Sequence, residues 1–495
     1  MSTITIDQLN FAYDGQAPLF DHTSFNLDTQ WHLGLVGRNG RGKTTLLKLL
    51  LGQLPHTGTI TTKAPLTYFP QPIADPSQLT LYALQAGADF EQWQLEREMN
   101  LLGMDPDLLW RPYQSLSGGE QTKVRLALLF VDQNAFALID EPTNHLDIAS
   151  RALVAKYLQQ KSGFIVVSHD RQFLDDICDH VLAIDRQQIQ LFQGNYTTYA
   201  TAKANQDQQE QNEDQKLRHE ITRLNKTAQE KAEWSNAREK TKFGDRHVKN
   251  SAVVPDRGFI GARSARMMQK RKNLEHRMDK EIQAKSGLLK SIETIDPLTI
   301  QVVPDHHPVY VHADQVTVGF DGQTLFEPVS FDVKPGDRVA LVGPNGIGKS
   351  SLLEALIDQF PGTMSGTFTH PDLSMSWVRQ QNHASGTLKV FAEQQHLDYQ
   401  SLLNNLKKLG LERSSFNTPI ESLSMGQQKK VALAASLVTP ASLYVWDEPL
   451  NYLDLFNQDQ LAESILTAKP TILFVEHDEA FVKRVATKVI TLKHA

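Results

Sequence analysis

The stretch GRNGRGKTTLL, residues 37–47, returns as GPNGIGKSSLL, residues 343–353. Each follows a short apolar run, WHLGLV at 31–36 and RVALV at 338–342, and each opens a run of helix formers. The pattern reads as a buried strand, a glycine-rich turn and a helix. Gly37, Gly40 and Gly42, with Gly343, Gly346 and Gly348 in the second copy, let backbone N–H groups approach phosphate oxygens without a Cβ in the way. Asn39 and Asn345 belong to the same turns. Lys43 and Lys349 are placed to reach a nucleotide's β/γ-phosphates, Thr44 and Ser350 to ligate Mg²⁺, and Thr45 and Ser351 follow directly. A plain strand–turn–helix connection is the alternative, and the rest of the chain argues against it.

Working outward, further segments recur in the same order. LSGGE starts at Leu116 and LSMGQ at Leu423; LIDEPTNHLD ends at Asp147 and VWDEPLNYLD at Asp454; VVSHD ends at Asp170 and FVEHD at Asp478. Equivalent residues are offset by 306 to 308 positions. An ordered set repeated in register is the signature of an internal duplication. FALIDE is an apolar strand that would deliver Asp140 rigidly to a Mg²⁺ shell, leaving Glu141 to orient and deprotonate water. Asp447 and Glu448 repeat the arrangement. His169 and His477, each after an apolar run, are placed to donate to a γ-phosphate. Gln71 and Gln380 lie between loop and signature, where an amide can meet Mg²⁺ or the attacking water. Tyr13 and Phe320, about thirty residues before the lysines, offer faces for adenine stacking; Phe11 reads better as core. Trp446 reads as core packing.

Composition sets the bounds. At 495 residues two or three domains are expected. Cys178 is the single cysteine, so intramolecular disulfides and cysteine-held metal clusters are excluded, and a reducing cytosol is the simplest expectation. MSTITIDQLNFAYDG does not read as a signal peptide, and no apolar run approaches the roughly 18–20 residues that span a bilayer. The chain's formal net charge is −7, yet residues 221–290 hold 18 Lys/Arg against 8 Asp/Glu. A basic segment therefore lies between two acidic flanks.

Taken together, these motifs resemble the ABC ATPase superfamily, and the resemblance covers nearly all of both copies. It implies an α/β fold of two tandem P-loop nucleotide-binding domains, residues 1–198 and 306–495, joined by an α-helical hairpin linker, residues 199–305. It implies ATP and Mg²⁺ as cofactors and an ATPase activity, with each loop facing the other copy's signature. Site one would pair Lys43, Thr44, Asp140, Glu141 and His169 with Ser424 and Gly426. Site two would pair Lys349, Ser350, Asp447, Glu448 and His477 with Ser117 and Gly119, and Gly118 lies between them in the nucleotide-binding signature. Met425 and Gln427 depart from Gly118 and Glu120, so site one is altered. Two such domains with a long charged linker resemble the ABC-F subfamily of translation-associated ATPases. WDEPLNYLD, LSMGQQKKV, GNYTTY and GARSARMMQKR are similar to its Lsa branch, which implies ribosome protection against lincosamides, streptogramin A compounds and pleuromutilins. The implied partners are the ribosome at its tRNA exit site, 23S rRNA and P-site tRNA, with no stable membrane partner and a monomeric chain in the cytoplasm. The 46-residue interval from Gln71 to Ser117 leaves no room for the arm insertion of some subfamily members, and no basic extension is expected before Ala495.

The middle segment reads as two helices, about 198–242 and 262–292, with Leu217, Ile221 and Leu224, then Leu274, Met278, Ile282, Leu289 and Ile292, at helical spacing. Residues 243–261 contain Gly244, Pro255, Gly258 and Gly261 and read as a loop, oddly apolar for an exposed tip. As an RNA probe it would place Arg246, Lys249, Arg257, Arg263, Arg266, Lys270, Arg271 and Lys272 near phosphates. As a plain spacer it would only connect. Rival readings for the whole chain are the energy subunit of a transporter, a DNA-repair ATPase and a general translation factor.

Overall fold

The computed structural model describes residues 3–15, 18–144, 146–185, 188–241, 297–320, 322–380 and 384–495, with side chains of its longest helix through residue 223 and at 226. The expected second linker helix, the loop at 243–261 and all eight cationic residues named for RNA contact lie outside the described residues. Residues 1–199 and 295–495 form one compact unit, and residue 200 begins a second.

Each copy folds around a parallel sheet, to which the first copy adds one antiparallel edge strand. In the first, the strand order is Leu66–Phe69, Phe136–Asp140, Phe164–Val167, His32–Gly37, His180–Asp185 and Gln188–Gln193, the last pair antiparallel. In the second it is Met375–Val378, Leu443–Asp447, Thr471–Val475, Arg338–Val342 and Lys488–Thr491, parallel throughout. Parallel strands covered on both faces should be apolar at every position, with alternate residues entering different cores. They do. Leu33, Leu35, Leu138, Ile165 and Val167 join one core with Ile4, Ile6 and Leu27 of a small antiparallel sheet. Val36, Ala137, Ile139, Phe164 and Val166 join a second with Leu95, Met99 and Val124. The second copy divides the same way: Leu443 and Val445 face one core, Tyr444 and Trp446 the other. Trp446 is buried, its Nε1 donating to Ser436 Oγ at 2.9 Å.

The strand order places Asp140 at the C-terminal end of a strand next to Phe164–Val167, which is itself beside the strand leading into the phosphate loop. Ligands of open parallel sheets collect at these carboxyl ends. Residues 71–117 contain the helices Thr80–Gln85 and Gln92–Leu101, whose apolar faces complete the second core.

The long helix runs Tyr196–Thr241, 46 residues, or about 70 Å at the rise of an α-helix. It starts two residues before the expected position because Asn195 caps it, its Oδ1 accepting from Thr198 N at 3.0 Å. Lys203–Asp207 and Asp214–Arg218 pair one turn apart along it. The chain is described again from residue 297, where it lies on the second copy: Leu298 is buried in that core, and its N–H donates to Ser464 Oγ at 2.8 Å. Among the described residues no helix is long and apolar enough to cross a membrane.

Candidate nucleotide-binding sites

Both phosphate loops have the same backbone. Gly42 and Gly348 precede their helices with φ of 96° and 99°, and an added Cβ would meet Phe20 Cζ at 3.0 Å or Leu325 Cδ1 at 2.8 Å. Only glycine fits there, by conformation and by space. The helices Lys43–Leu50 and Lys349–Leu356 carry no side-chain cap, so their first N–H groups stay available to an anion. Lys43 Nζ donates to Gly37 O at 2.7 Å and Asn39 Oδ1 at 3.2 Å. Lys349 Nζ donates to Gly343 O at 2.9 Å and Pro344 O at 2.8 Å. Burial pushes both ammonium groups below their ordinary pKa, against the pull of nearby carboxylates.

Around the first loop, Thr44 Oγ1 donates to Asp140 Oδ2 at 2.7 Å, and Tyr68 OH reaches the same oxygen at 3.2 Å. Tyr13 OH lies 3.1 Å from Thr45 Oγ1, its ring edge-on to Phe11 and partly exposed. Phe11 itself is buried, and Phe320 is exposed with its ring edge-on to Phe360. In the second copy Ser350 hydrogen-bonds the Asp447 carboxylate, and burial raises that group to about 6.

Glu141 and Glu448 both sit in the left-handed region, with φ of 54° and 48°. Their N–H groups donate to Val167 O at 2.9 Å and Val475 O at 3.0 Å, which turns each carboxylate off the strand end. A non-glycine residue rarely takes this conformation, and both copies hold it at the same place. The histidines stand behind them: His169 Nε2 is 3.2 Å from Glu141 Oε1, and His477 Nε2 is 3.4 Å from Glu448 Oε1.

The two glutamates then part company. Burial pushes Glu141 up to about 8, with Lys43 opposing and Asp140 reinforcing. Burial also acts on Glu448, but the hydrogen bond and charge of His477 outweigh it, with help from Gln380, and hold it at about 2. Glu448 Oε2 accepts from Gln380 Nε2 at 3.2 Å and from Asn451 Nδ2 at 2.5 Å. His169 falls to about 3, through burial and then Lys43.

Gln71 Oε1, Glu141 Oε1 and Asp447 Oδ1 are buried without a hydrogen-bond partner. Buried orphan oxygens are costly. Hard oxygens with lone pairs to spare, Gln71 Oε1 in the first copy and Asp447 Oδ1 in the second, suit a divalent cation such as Mg²⁺.

The signature serines act as helix N-caps. Ser117 accepts from Glu120 N at 3.3 Å, and Glu120 Oε2 accepts from Ser117 N at 2.8 Å. Ser424 and Gln427 form the same reciprocal box at 3.3 and 3.1 Å. Gln427 therefore preserves the cap that Glu120 makes. Met425 is largely exposed at the first helical position, where the first copy has Gly118. Gly426 lies against Tyr452, 3.4 Å from its Cβ when given a Cβ of its own.

Contacts between the copies come from a position the motif reading quoted but gave no role. Asn39 N donates to Asp454 Oδ2 at 2.7 Å, and Asn39 Nδ2 donates to Tyr452 O at 3.1 Å. Reciprocally, Asn345 N donates to Asp147 Oδ2 at 3.3 Å. One turn further along each helix, Arg151 Nη1 donates to His477 O at 3.4 Å and Gln458 Nε2 to His169 O at 3.2 Å. The Arg38 guanidinium lies 4.0 Å over the Phe456 ring. Each loop and each histidine thus touches the other copy. The first loop meets the segment bearing Tyr452, which backs Gly426; at the second loop the described contact runs through Asp147. An aspartate ending both repeated DEP segments was the available signal.

The family described as ABC transporter matches residues 20–144 and 326–451. The chain is 27% identical over 504 residues to a ribosome protection protein, VmlR, of Bacillus subtilis, covering 99% of this chain and 87% of that protein. It is 29% identical over 509 residues to the erythromycin resistance ATP-binding protein MsrA of Staphylococcus epidermidis, covering 98% and 96%. In fold it is similar to the archaeal ribosome recycling factor aABCE1, solved in complex with ribosomal stalk protein aP1, with a TM-score of 0.63, 20% identity and coverage of 99% and 88%. With the family matched twice along the sequence, the chain belongs to the ABC transporter family and is an ATPase carrying two ATP-binding cassettes in one polypeptide.

Proposed function

We propose that this chain is an ABC-F ATPase that binds the ribosome with ATP in place and leaves it on hydrolysis. The observation that carries this is the likeness, along the whole chain, to a protein named for ribosome protection. A strongly basic middle segment in an acidic chain supports it. In this reading residues 1–198 and 306–495 are the cassettes and residues 199–305 the linker, whose last residues from 297 dock on the second cassette.

Each pocket is completed by the other cassette. Site one takes Lys43, Thr44, Asp140, Glu141, His169 and Gln71, with Ser424 and Gly426 supplied in trans. Site two takes Lys349, Ser350, Asp447, Glu448, His477 and Gln380, with Ser117 and Gly119. The lysines leave the loop carbonyls for β/γ-phosphate oxygens, and the glycine turns present backbone N–H groups. Thr44, Asp140 and Gln71, and Ser350, Asp447 and Gln380, would hold Mg²⁺, which when bound neutralises charge on the phosphate oxygens. Glu141 and Glu448 orient and deprotonate the attacking water, and His169 and His477 position the glutamate and the γ-phosphate. Tyr13 and Phe320 stack on adenine.

We further assign the linker to the ribosome's RNA near the tRNA exit site, reaching 23S rRNA and P-site tRNA, and the drug classes to lincosamides, streptogramin A compounds and pleuromutilins. The Glu141→Gln/Glu448→Gln chain should co-sediment with ribosomes in ATP and not in ADP; no ATP-dependent co-sedimentation would end this reading. Deleting residues 244–261 should abolish drug protection in a sensitive host while ribosome binding remains. Protection that survives the deletion would refute the role given to the loop.

A further inference from the structure

The two signature helices differ two residues past the signature, at a position that is buried in the second cassette. In the first cassette Thr122 follows the signature, and its Oγ1 donates to Gly118 O at 2.9 Å, one turn back in its own helix. In the second cassette the equivalent residue is Lys429, and it is buried. Its Nζ donates to Arg379 O and to Asp447 O, both at 3.0 Å. These carbonyls stand at the ends of two neighbouring strands, Met375–Val378 and Leu443–Asp447. Gln380 follows the first directly and Glu448 the second, and they are hydrogen-bonded to each other.

A second buried exchange accompanies the first. Where the first cassette has Ser168, the second has Glu476, whose Oε1 accepts from His477 N at 2.7 Å and Oε2 from Leu450 N at 3.1 Å. The carboxylates of Asp447, Glu448 and Glu476 all act on the Lys429 ammonium. A buried lysine is costly unless paired and hydrogen-bonded. The extra carboxylate offsets part of that cost. In the second cassette Lys429 and Glu476 thus stand where the first has Thr122 and Ser168.

The same helix ends at the other pocket. It runs Met425–Val438 from the cap Ser424. Gly426 packs on Tyr452, and Tyr452 O accepts from Asn39 Nδ2 of the first phosphate loop at 3.1 Å. A continuous physical path therefore leads from the carboxylates of site two, through Lys429 and one turn of helix, to the loop of site one.

We propose that Lys429 is a positioning residue that couples the nucleotide state of site two to site one. Nucleotide at site two moves Asp447 and Gln380, and Lys429 transmits that shift to the signature end that closes on site one. At the equivalent position of the first cassette the described bond of Thr122 stays within its own helix. Coupling between binding sites is reciprocal, so ATP at site one favours ATP at site two by the same factor through this route.

The inference rests on the composite pockets proposed above, and the full-length chain tests it. Glu448→Gln leaves site one as the hydrolysing site, and Lys349→Ala then empties site two. With Lys429 present, emptying site two should raise the ATP concentration for half-maximal turnover at site one by about tenfold. With Lys429→Thr that difference should vanish. Lys429→Met, which keeps the volume without the charge, should abolish it too, and Lys429→Arg should restore part of it. A residue that merely supports the fold would lower the melting temperature and leave the tenfold difference intact, and that result overturns the proposal. Ser424→Arg separates the two ideas: if it leaves site-one turnover unchanged, the composite pocket fails, whatever Lys429 does.

Discussion

The carboxylate of Asp454 accepts a 2.7 Å hydrogen bond from the backbone N–H of Asn39, 415 residues away. The same carboxylate caps its own helix, with Oδ1 accepting from Asn457 N at 2.8 Å. One side chain thus anchors a helix in the second cassette and holds the phosphate loop of the first. Burial pushes Asp454 up, but the Asn39 and Asn457 N–H groups and the Lys430 cation outweigh it and keep the carboxylate ionised. Asp454→Asn retains the cap and loses the charge-assisted bond, so ATP turnover should fall with little change in melting temperature. Asp454→Ala loses both and should also destabilise the chain by about 1–2 kcal/mol. Steady-state ATPase assays and thermal melts of the two variants check this.

The opposite environments of Glu141 and Glu448 predict opposite effects of the same substitution. Glu141 rises from 4.5 to about 8. Between those values the folded chain holds a proton that the unfolded chain releases, so stability falls as pH rises through the window. Glu448 falls from 4.5 to about 2, and its contribution is full above 4.5 and lost as pH drops towards 2. In nucleotide-free protein at pH 8, Glu141→Gln should therefore stabilise and Glu448→Gln destabilise, each by at least about 1 kcal/mol. Near pH 4.5 the Glu141→Gln gain should be gone. Urea unfolding at the two pH values measures both signs.

Met425 projects from the first helical position of the second signature, which the proposed function places opposite the γ-phosphate of site one. Met425→Gly restores the residue of the first copy and should raise site-one turnover several-fold in the Glu448→Gln chain. The Ser424–Gln427 box remains, so the stability cost should stay within about 1 kcal/mol. Unchanged turnover would mean that the thioether does not obstruct the pocket.

Much of this architecture is legible in the sequence because it is local. The loop glycines, the apolar strands ending at Asp140 and Asp447, and the alternation that buries Trp446 all follow from a few adjacent residues. What was not legible depends on distance. The DEP segments of the two copies read alike, yet Glu141 and Glu448 differ by several units of pKa. The difference arises from groups that arrive from elsewhere in the chain, above all His477 and then Gln380. Asp147 and Asp454 end matching motifs, but their bonds to Asn345 and Asn39 require the two copies to face each other. Lys429 and Lys430 lie in a run of polar residues and are buried, which no local pattern in that run announces.

The central claim, that neither pocket is complete within one cassette, is tested most directly by turnover at one site while the other cassette's signature is blocked. In the full-length Glu448→Gln chain, Ser424→Arg should abolish the ATP hydrolysis that site one still performs, whereas Ser117→Arg should leave most of it. Undiminished hydrolysis in the Ser424→Arg chain would contradict the claim.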